Sequence, residues 1–365
     1  MKNRLKIQGF KCIKDMCLEL NNISVLVGSN SAGKSSIIQS LLLLTDACKP
    51  HDTNNLEALP THNIMGVDLG KVDNLFYDDK SFRKDSTSTN DITIALDDFC
   101  VSIPFDVNGE DNEHNILLRC SQIGTPIGQV RYLDAERLGP RYVCEFKDVN
   151  TDNCGIHGEN TAYVWEMHSR DKISESKRLT PSLEGNFTIQ LADWIKFLFD
   201  DLSLQVKKLY DRALQIQVAN HKEGTTMLHI GFGVSYALPI LVQGLLLKEN
   251  DTLIVENPEA HLQPKAQTRM GFFLAIMAAS GVRVIVETHS EHIINGIIKS
   301  STTESVNLNE ADISIYYINH KDQENPRHIS ISDARENRYP DDFFDNSADI
   351  LNQQIHNREV CIKAS

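Results

Sequence analysis

Eight cysteines stand at positions 12, 17, 48, 100, 120, 144, 154 and 361, and no CxxC pair occurs among them. Such spacing argues against a disulfide framework or a cysteine zinc site and fits reduced thiols. Long apolar runs are lacking as well. The uncharged, largely apolar stretch Met270 to Val282 falls short of the ~20 apolar residues that a membrane-spanning helix needs. The opening residues MKNRLKIQGFKCIKD lack the apolar core and small-residue cleavage site of a secretory signal, so a cytoplasmic protein with no membrane contact is expected. Positive charge is scarce: 36 Lys plus Arg face 50 Asp plus Glu, a net charge of -14. A field of that sign repels phosphate backbones, which confines any DNA contact to a local patch. There is no internal repeat and no heptad run long enough for a coiled-coil arm.

What is present is a globular composition, 41% hydrophobic and 24% charged over 365 residues, enough for one large or two to three smaller domains. Leu5, Ile7, Ile13, Leu18 and Leu20 read as short strands, and Ile23 to Val27 is an apolar strand that runs straight into glycine. From Lys34 the spacing of Ile37, Ile38, Leu41, Leu42 and Leu44 is helical, with no Gly or Pro until Pro50. The middle is less legible. Polar stretches at His51 to Asn55 and Asp79 to Asp91 read as loops, Ile92, Ile94 and Leu96 as a strand, and Ile189 to Leu209 as an amphipathic helix. Then Leu214, Ile216 and Val218 alternate, GFGVSY leads into an apolar helix from Ala237 to Leu247, and a strand follows at Thr252 to Val255. A helix entered through Pro264 and a strand at Val282 to Val286 come next. Ile313, Ile315 and Tyr317, and Ile329 with Ile331, read as edge strands. Polar residues thus follow several strand ends, the edge where ligands sit in open α/β sheets.

Gly28-Ser29-Asn30-Ser31-Ala32-Gly33-Lys34-Ser35 matches GxxxxGK[ST] between a strand and a helix. There the glycines turn backbone N–H groups inward around phosphates, the helix N-terminus adds its positive end, Lys34 reaches the β- and γ-phosphates, and Ser35 ligates Mg²⁺. Mg²⁺ and an attacking water need carboxylates in addition. The strand TLIVENPE supplies Glu256, suited to hold the metal through water, and Glu259, suited to act on the attacking water. His289 closes the next apolar strand, where an imidazole can meet the γ-phosphate or the water, although a lone histidine at a strand end is more often structural.

The order GSNSAGKS, GFGVSYALPIL, TLIVENPEAHLQP, VIVETHSEHI resembles the ABC-type ATPase heads of the SMC, RecF and OLD group, in particular bacterial standalone AAA-family ATPases associated with anti-phage defence. YLDAERLGPR at 132–141, GENT at 158–161 and YPDDFFD at 339–345 extend the resemblance over nearly the whole chain. It implies an α/β fold: a P-loop ATPase head with a mixed-sheet nucleotide-binding lobe, a second α/β lobe and no coiled-coil arm. On that reading 1–50 starts the first lobe, 51–213 is its remainder plus an insertion, 214–300 is the second lobe, and 301–365 completes the head. The resemblance further implies an ATP-sandwich homodimer, open to higher oligomers. Gly28 to Ser36 of one copy bind ATP and Mg²⁺, and the signature residues Gly231, Phe232, Gly233 and Ser235 of the other copy face the γ-phosphate. Lys11 stands where similar heads carry a phosphate-contacting base, and reads equally as an exposed lysine.

Three departures stand out. Gly231 replaces the usual serine, with Ser235 four residues on; Asn257 replaces the usual catalytic Glu; and Gln263 replaces a histidine. Hydrolysis is therefore expected to be slow or to use Glu259. No DxD or nuclease-like His/Asn cluster follows His289, so the expected role is a switch for a separate effector protein. The alternative is a RecF-like clamp on duplex DNA.

Overall fold

The computed structural model describes residues 3–49, 57–77, 91–105, 114–146, 152–179, 185–210, 212–219, 225–303, 305–319, 322–336 and 339–340. The loop read at His51 to Asn55, the loop read at Asp79 to Asp91 except for Asp91 itself, the residues of YPDDFFD after Pro340, and Cys361 lie outside them. The chain opens with β1 (Asn3–Phe10), β2 (Ile13–Leu20) and β3 (Ile23–Gly28), followed by α1 (Lys34–Ala47). Then come β4 (Glu57–Pro60), β5 (Ile92–Leu96), β6 (Phe99–Ile103), β7 (Asn115–Cys120), β8 (Val130–Leu133) and β9 (Cys144–Glu145). Next are α2 (Thr161–Met167), α3 (Phe187–Phe199), β10 (Leu204–Tyr210), β11 (Ala213–Val218) and α4 (Phe232–Leu246). The last elements are β12 (Thr252–Glu256), α5 (Pro264–Ala279), β13 (Arg283–Glu287), α6 (Glu291–Ser300), β14 (Ile313–Asn319), β15 (Asp322–Ile329) and α7 (Ile331–Arg335).

The central sheet has the order β15-β14-β3-β13-β12-β8. Its neighbours from β14 to β8 run parallel and only β15 is antiparallel. Strands from all four stretches distinguished in the sequence hydrogen-bond into this one sheet. It is covered on both faces, which is why its strands are near-continuous apolar runs rather than alternations. Val25, Val27, Val255 and Val286 pack with α3, α4, α5 and α6, while Leu26, Ile254, Ile285 and Ile318 pack with α1. The far side of α1 is covered by an antiparallel sheet, β2-β1-β5-β6-β7-β4. Here the pattern does alternate: Leu5 and Ile7 on β1 and Ile92, Ile94 and Leu96 on β5 are buried, with more exposed residues between them. α1 is therefore buried nearly all round, and the P-loop at its N-terminus rests on a fixed base. A small third sheet, β10-β11-β9, stands apart from these two.

Three expectations are corrected. The helix read over Ile189 to Leu209 ends at Phe199, because Asp200 and Asp201 take φ of 46° and 63°, outside the helical region. Leu204–Tyr210 instead forms a hairpin with β11. The stretch Ile313–Asn319 is no edge: β14 lies between β15 and β3, with its residues buried as far as Ile318, and β15 forms the edge. α4 also begins at Phe232 rather than Ala237, so GFGVSY is the start of the helix itself.

Candidate functional site

Gly28 ends β3 with φ of 144°, and a Cβ there would lie 2.0 Å from the Ile318 carbonyl oxygen on β14. Only glycine fits, and the chain leaves the sheet into the loop at that point. Ser31 (φ 61°) and Gly33 (φ 109°) complete the turn, and Gly33 is the N-cap of α1. Ser29, Asn30 and Ser31 are exposed, Ala32 and Gly33 are buried, and Ser35 and Ser36 are half-buried. Lys34, 3% exposed, curls back across the loop and donates to the carbonyls of Gly28 (3.0 Å) and Ser29 (2.9 Å).

The carboxylate that meets this loop is Glu287, at the end of β13. Its Oε2 accepts from the Ser35 hydroxyl at 3.2 Å and its Oε1 lies 3.6 Å from Lys34 Nζ. Burial raises the Glu287 pKa and Lys34 opposes the rise; burial lowers that of Lys34 and Glu287 opposes the fall. Glu256 ends β12 in register with Glu287, because the two strands run parallel. It is buried, accepts from the Tyr132 hydroxyl at 2.9 Å, and is pushed up to about 7 by burial and then by Glu287. Both oxygens of Glu259 are engaged: Thr288 donates its hydroxyl at 2.7 Å and His289 its backbone N–H at 2.8 Å. Burial raises the Glu259 pKa, and these two donors oppose the rise. His289 is exposed at the rim, yet its neighbours partly desolvate the ring, and that desolvation and then Lys34 lower its pKa and favour the neutral form.

Ser35, Glu256 and Glu287 offer a hydroxyl and two carboxylates at the base of a phosphate loop. Hard oxygens of this kind suit Mg²⁺. Lys11, at φ 52° in the β1–β2 turn, donates to Gln39 Oε1 on α1 at 2.6 Å. It is half-buried rather than freely exposed. Ser36 is 3.5 Å from Cys12 Sγ in the same turn, so the turn carrying Lys11 is seated on the first turns of α1.

The signature segment is built differently. Gly231 is the N-cap of α4, no side chain caps the helix, and a Cβ on Gly231 would meet nothing within 4 Å. Phe232 is 56% exposed. Gly233 packs so closely on the turn after β12 that a Cβ would stand 2.5 Å from the His261 carbonyl oxygen. Ser235 departs from expectation. It is buried, and its hydroxyl has no hydrogen-bond partner among the described residues. The helix turns that hydroxyl inward, toward a cavity of about 50 Å³ beside Thr161 and Pro239, so the outward groups are Gly231 and Phe232.

Glu287, Tyr132, Thr288 and Arg137 carry no role in the sequence reading. A signal for Glu287 existed: it closes the apolar run RVIVE as Glu256 closes TLIVE. Arg137 lies in YLDAERLGPR, a segment that carries the resemblance, but its irregular backbone gives no periodicity from which a role could be read. It is 3% exposed and donates to four backbone carbonyls.

A family model described as AAA ATPase domain matches residues 1–138 and 141–294. Among solved structures, an Smc head domain with an extended coiled coil bound to the C-terminal domain of ScpA, derived from Pyrococcus furiosus, is similar at 10% identity with a TM-score of 0.52. The alignment covers 92% of this chain and 98% of that one. An SmcHead bound to the C-winged helix domain of ScpA is similar at 11% identity and TM-score 0.47, over 92% and 99% of the two chains. The SMC head domain from Thermotoga maritima gives 13% identity and TM-score 0.41, over 86% and 94%. The search of curated proteins found no match. Among the described residues no helix is long and apolar enough to cross a membrane.

Proposed function

The chain belongs to the AAA ATPase domain family, and from that membership we propose that it binds ATP with Mg²⁺ at Gly28 to Ser36 and hydrolyses it slowly as a homodimer. In that dimer, which can enter higher oligomers, the Gly231–Gly233 end of α4 from one copy completes the site of the other. The observation that carries the reading is the convergence of Lys34, Ser35, Glu256 and Glu287 on one strand-end edge of the central sheet, from loops that sequence alone leaves far apart. Mg²⁺, when bound, neutralises phosphate charge and orients the terminal phosphate. Ser35, Glu256 and Glu287 would hold it. Each oxygen of Glu259 keeps a further lone pair for an attacking water, and the carboxylate is already fixed by Thr288 and His289. A neutral His289 is suited to hydrogen-bond that water or the phosphate without adding charge. Lys11 joins the phosphate side from the β1–β2 turn.

In this reading ATP is a switch for a separate effector protein, in anti-phage defence. The motif order supports that role, as does the head from Pyrococcus furiosus, a relative in fold that carries a separate ScpA domain. The test is equilibrium binding of a fluorescent ATP analogue, with phosphate release measured in parallel. Lys34→Ala is expected to weaken binding about 100-fold, since it removes a buried cation facing the phosphates, and to abolish release. Equal affinity in both proteins overturns the site assignment.

A further inference from the structure

Arg137 follows β8, on the far side of β12 from the P-loop strand. Its guanidinium is spent on backbone. Nε donates to the Tyr236 carbonyl (3.0 Å), Nη1 to those of Asp134 and Glu256 (2.7 Å each), and Nη2 to that of Asn257 (2.7 Å). These acceptors belong to three separate segments: the loop after β8, the first turns of α4, and the turn that leaves β12. No carboxylate bonds it directly among the described residues; burial lowers its pKa to about 10, and Glu259, Tyr236, Asp134 and Glu256 oppose the fall. A buried cation that bonds only carbonyls from three segments fixes those segments relative to one another.

Two of these segments, the first turns of α4 and the turn that leaves β12, touch again on the outer side. The Tyr236 ring lies 5.4 Å from the Arg137 guanidinium and 4.6 Å from the His261 ring, and the Phe232 ring lies 5.5 Å from His261. Gly233 is pressed on the His261 carbonyl. Asn257 and His261 take φ of 43° and 59°, so the turn is bounded at both ends by residues in a backbone conformation that L-residues seldom adopt. Glu259 sits inside that turn. The outer end of α4 is thus tied by direct contacts to the backbone that carries Glu259.

We propose that Arg137 is a positioning residue: it locks the Glu256–His261 turn to the first turns of α4, so that occupation of the Gly231–Phe232 end sets the placement of Glu259 for hydrolysis. The proposal rests on the ATPase reading above. Arg137 does not touch substrate; it acts through Glu256 and Asn257. Lysine cannot replace it, because one ammonium cannot reach four carbonyls fanned around a planar fork.

Steady-state ATP hydrolysis and binding of a fluorescent ATP analogue are to be measured for the parent, Arg137→Lys and Arg137→Gln. Both variants are expected to lose about tenfold or more in kcat while KM and analogue affinity stay within about twofold. A fall in affinity parallel to kcat, or an unchanged kcat in Arg137→Lys, overturns the proposal. A parent whose analogue binding is insensitive to Lys34→Ala overturns the ATPase reading instead. Should the variants fail to fold, hydrogen exchange on the parent decides. With the Mg²⁺ complex of a non-hydrolysable ATP analogue, segments 231–236 and 256–262 are expected to gain protection together and with the same concentration midpoint. Protection of one without the other overturns the proposal.

Discussion

At the C-terminal end of β3 and β13 the charged groups answer one another. Lys34 is paired with Glu287 and two carbonyls, Ser35 with Glu287, and Glu256 with Tyr132. At the N-terminal end of α4, by contrast, Gly231 faces open space, no side chain caps the helix, and Phe232 is exposed. The first region has the form of a receptor organised in advance; the second is a presented surface. Helix N-terminal N–H groups are orphan donors that favour an anion. In the proposed dimer the open half of one copy is completed by the nucleotide-loaded closed half of the other, whose phosphates supply the anion.

The largest effect is expected from Gly231→Asp. Aspartate is a good N-cap, so the helix and the fold persist, yet its carboxylate now occupies the place offered to a phosphate. Analogue affinity should stay within about twofold while turnover falls about 100-fold, measured on the same preparations. Loss of affinity in step with turnover would mean that the two regions are not separate half-sites.

Glu287→Gln tests the closed half. If Glu287 serves the metal, removing its charge weakens binding of Mg²⁺-ATP by about tenfold and tightens binding of metal-free ATP, because a carboxylate facing unneutralised phosphates repels them. Titrations with and without Mg²⁺ read the two signs. The same sign in both sets the metal role aside and leaves Glu287 as a partner of Lys34 only.

The β12 and β13 strands, the P-loop and the helix after it were legible because each is a local pattern: an apolar run, a glycine spacing, a 3.6-residue period. The Ser35–Glu287 contact was not, because it depends on which strand lies beside β3, and strand order is not written in local sequence. Parallel neighbours can come from anywhere in the chain, and β13 rather than β12 takes that place. The burial of Ser235 is not legible for a different reason. Sequence places it four residues from Gly231, one turn along, but which side of α4 faces the core follows from Gly233 packing on His261. The break at Asp200–Asp201 defeated the helical period of Ile189 to Leu209 because two consecutive positive-φ residues carry no glycine signal. Arg137 was invisible since its partners are all backbone carbonyls, which every sequence has.

The smallest effect concerns the cost of keeping the closed half charged. Glu256 has a folded-state pKa of about 7, above its ordinary value of 4.5. Between those values the folded chain holds a proton that the unfolded chain has lost, so stability falls as pH rises through this window and the penalty is complete above it. Glu256→Gln removes the penalty and can still accept from Tyr132. Thermal unfolding at pH 8 should therefore rise by about 2–4 °C relative to the parent, and the gain should vanish below pH 4.5. A lower melting temperature at pH 8 would contradict the strain ascribed to this carboxylate.

The central claim is that one copy's closed half works only against another copy's open half, and subunit mixing tests it most directly. Lys34→Ala and Gly231→Asp are each expected to be inactive alone. Mixed in equal amounts, half of the dimers are mixed, and each of these pairs one intact P-loop with one intact signature end. Phosphate release should then recover to about a quarter of the parent rate at the same total concentration. A mixture no faster than the sum of its two inactive parts would contradict the account.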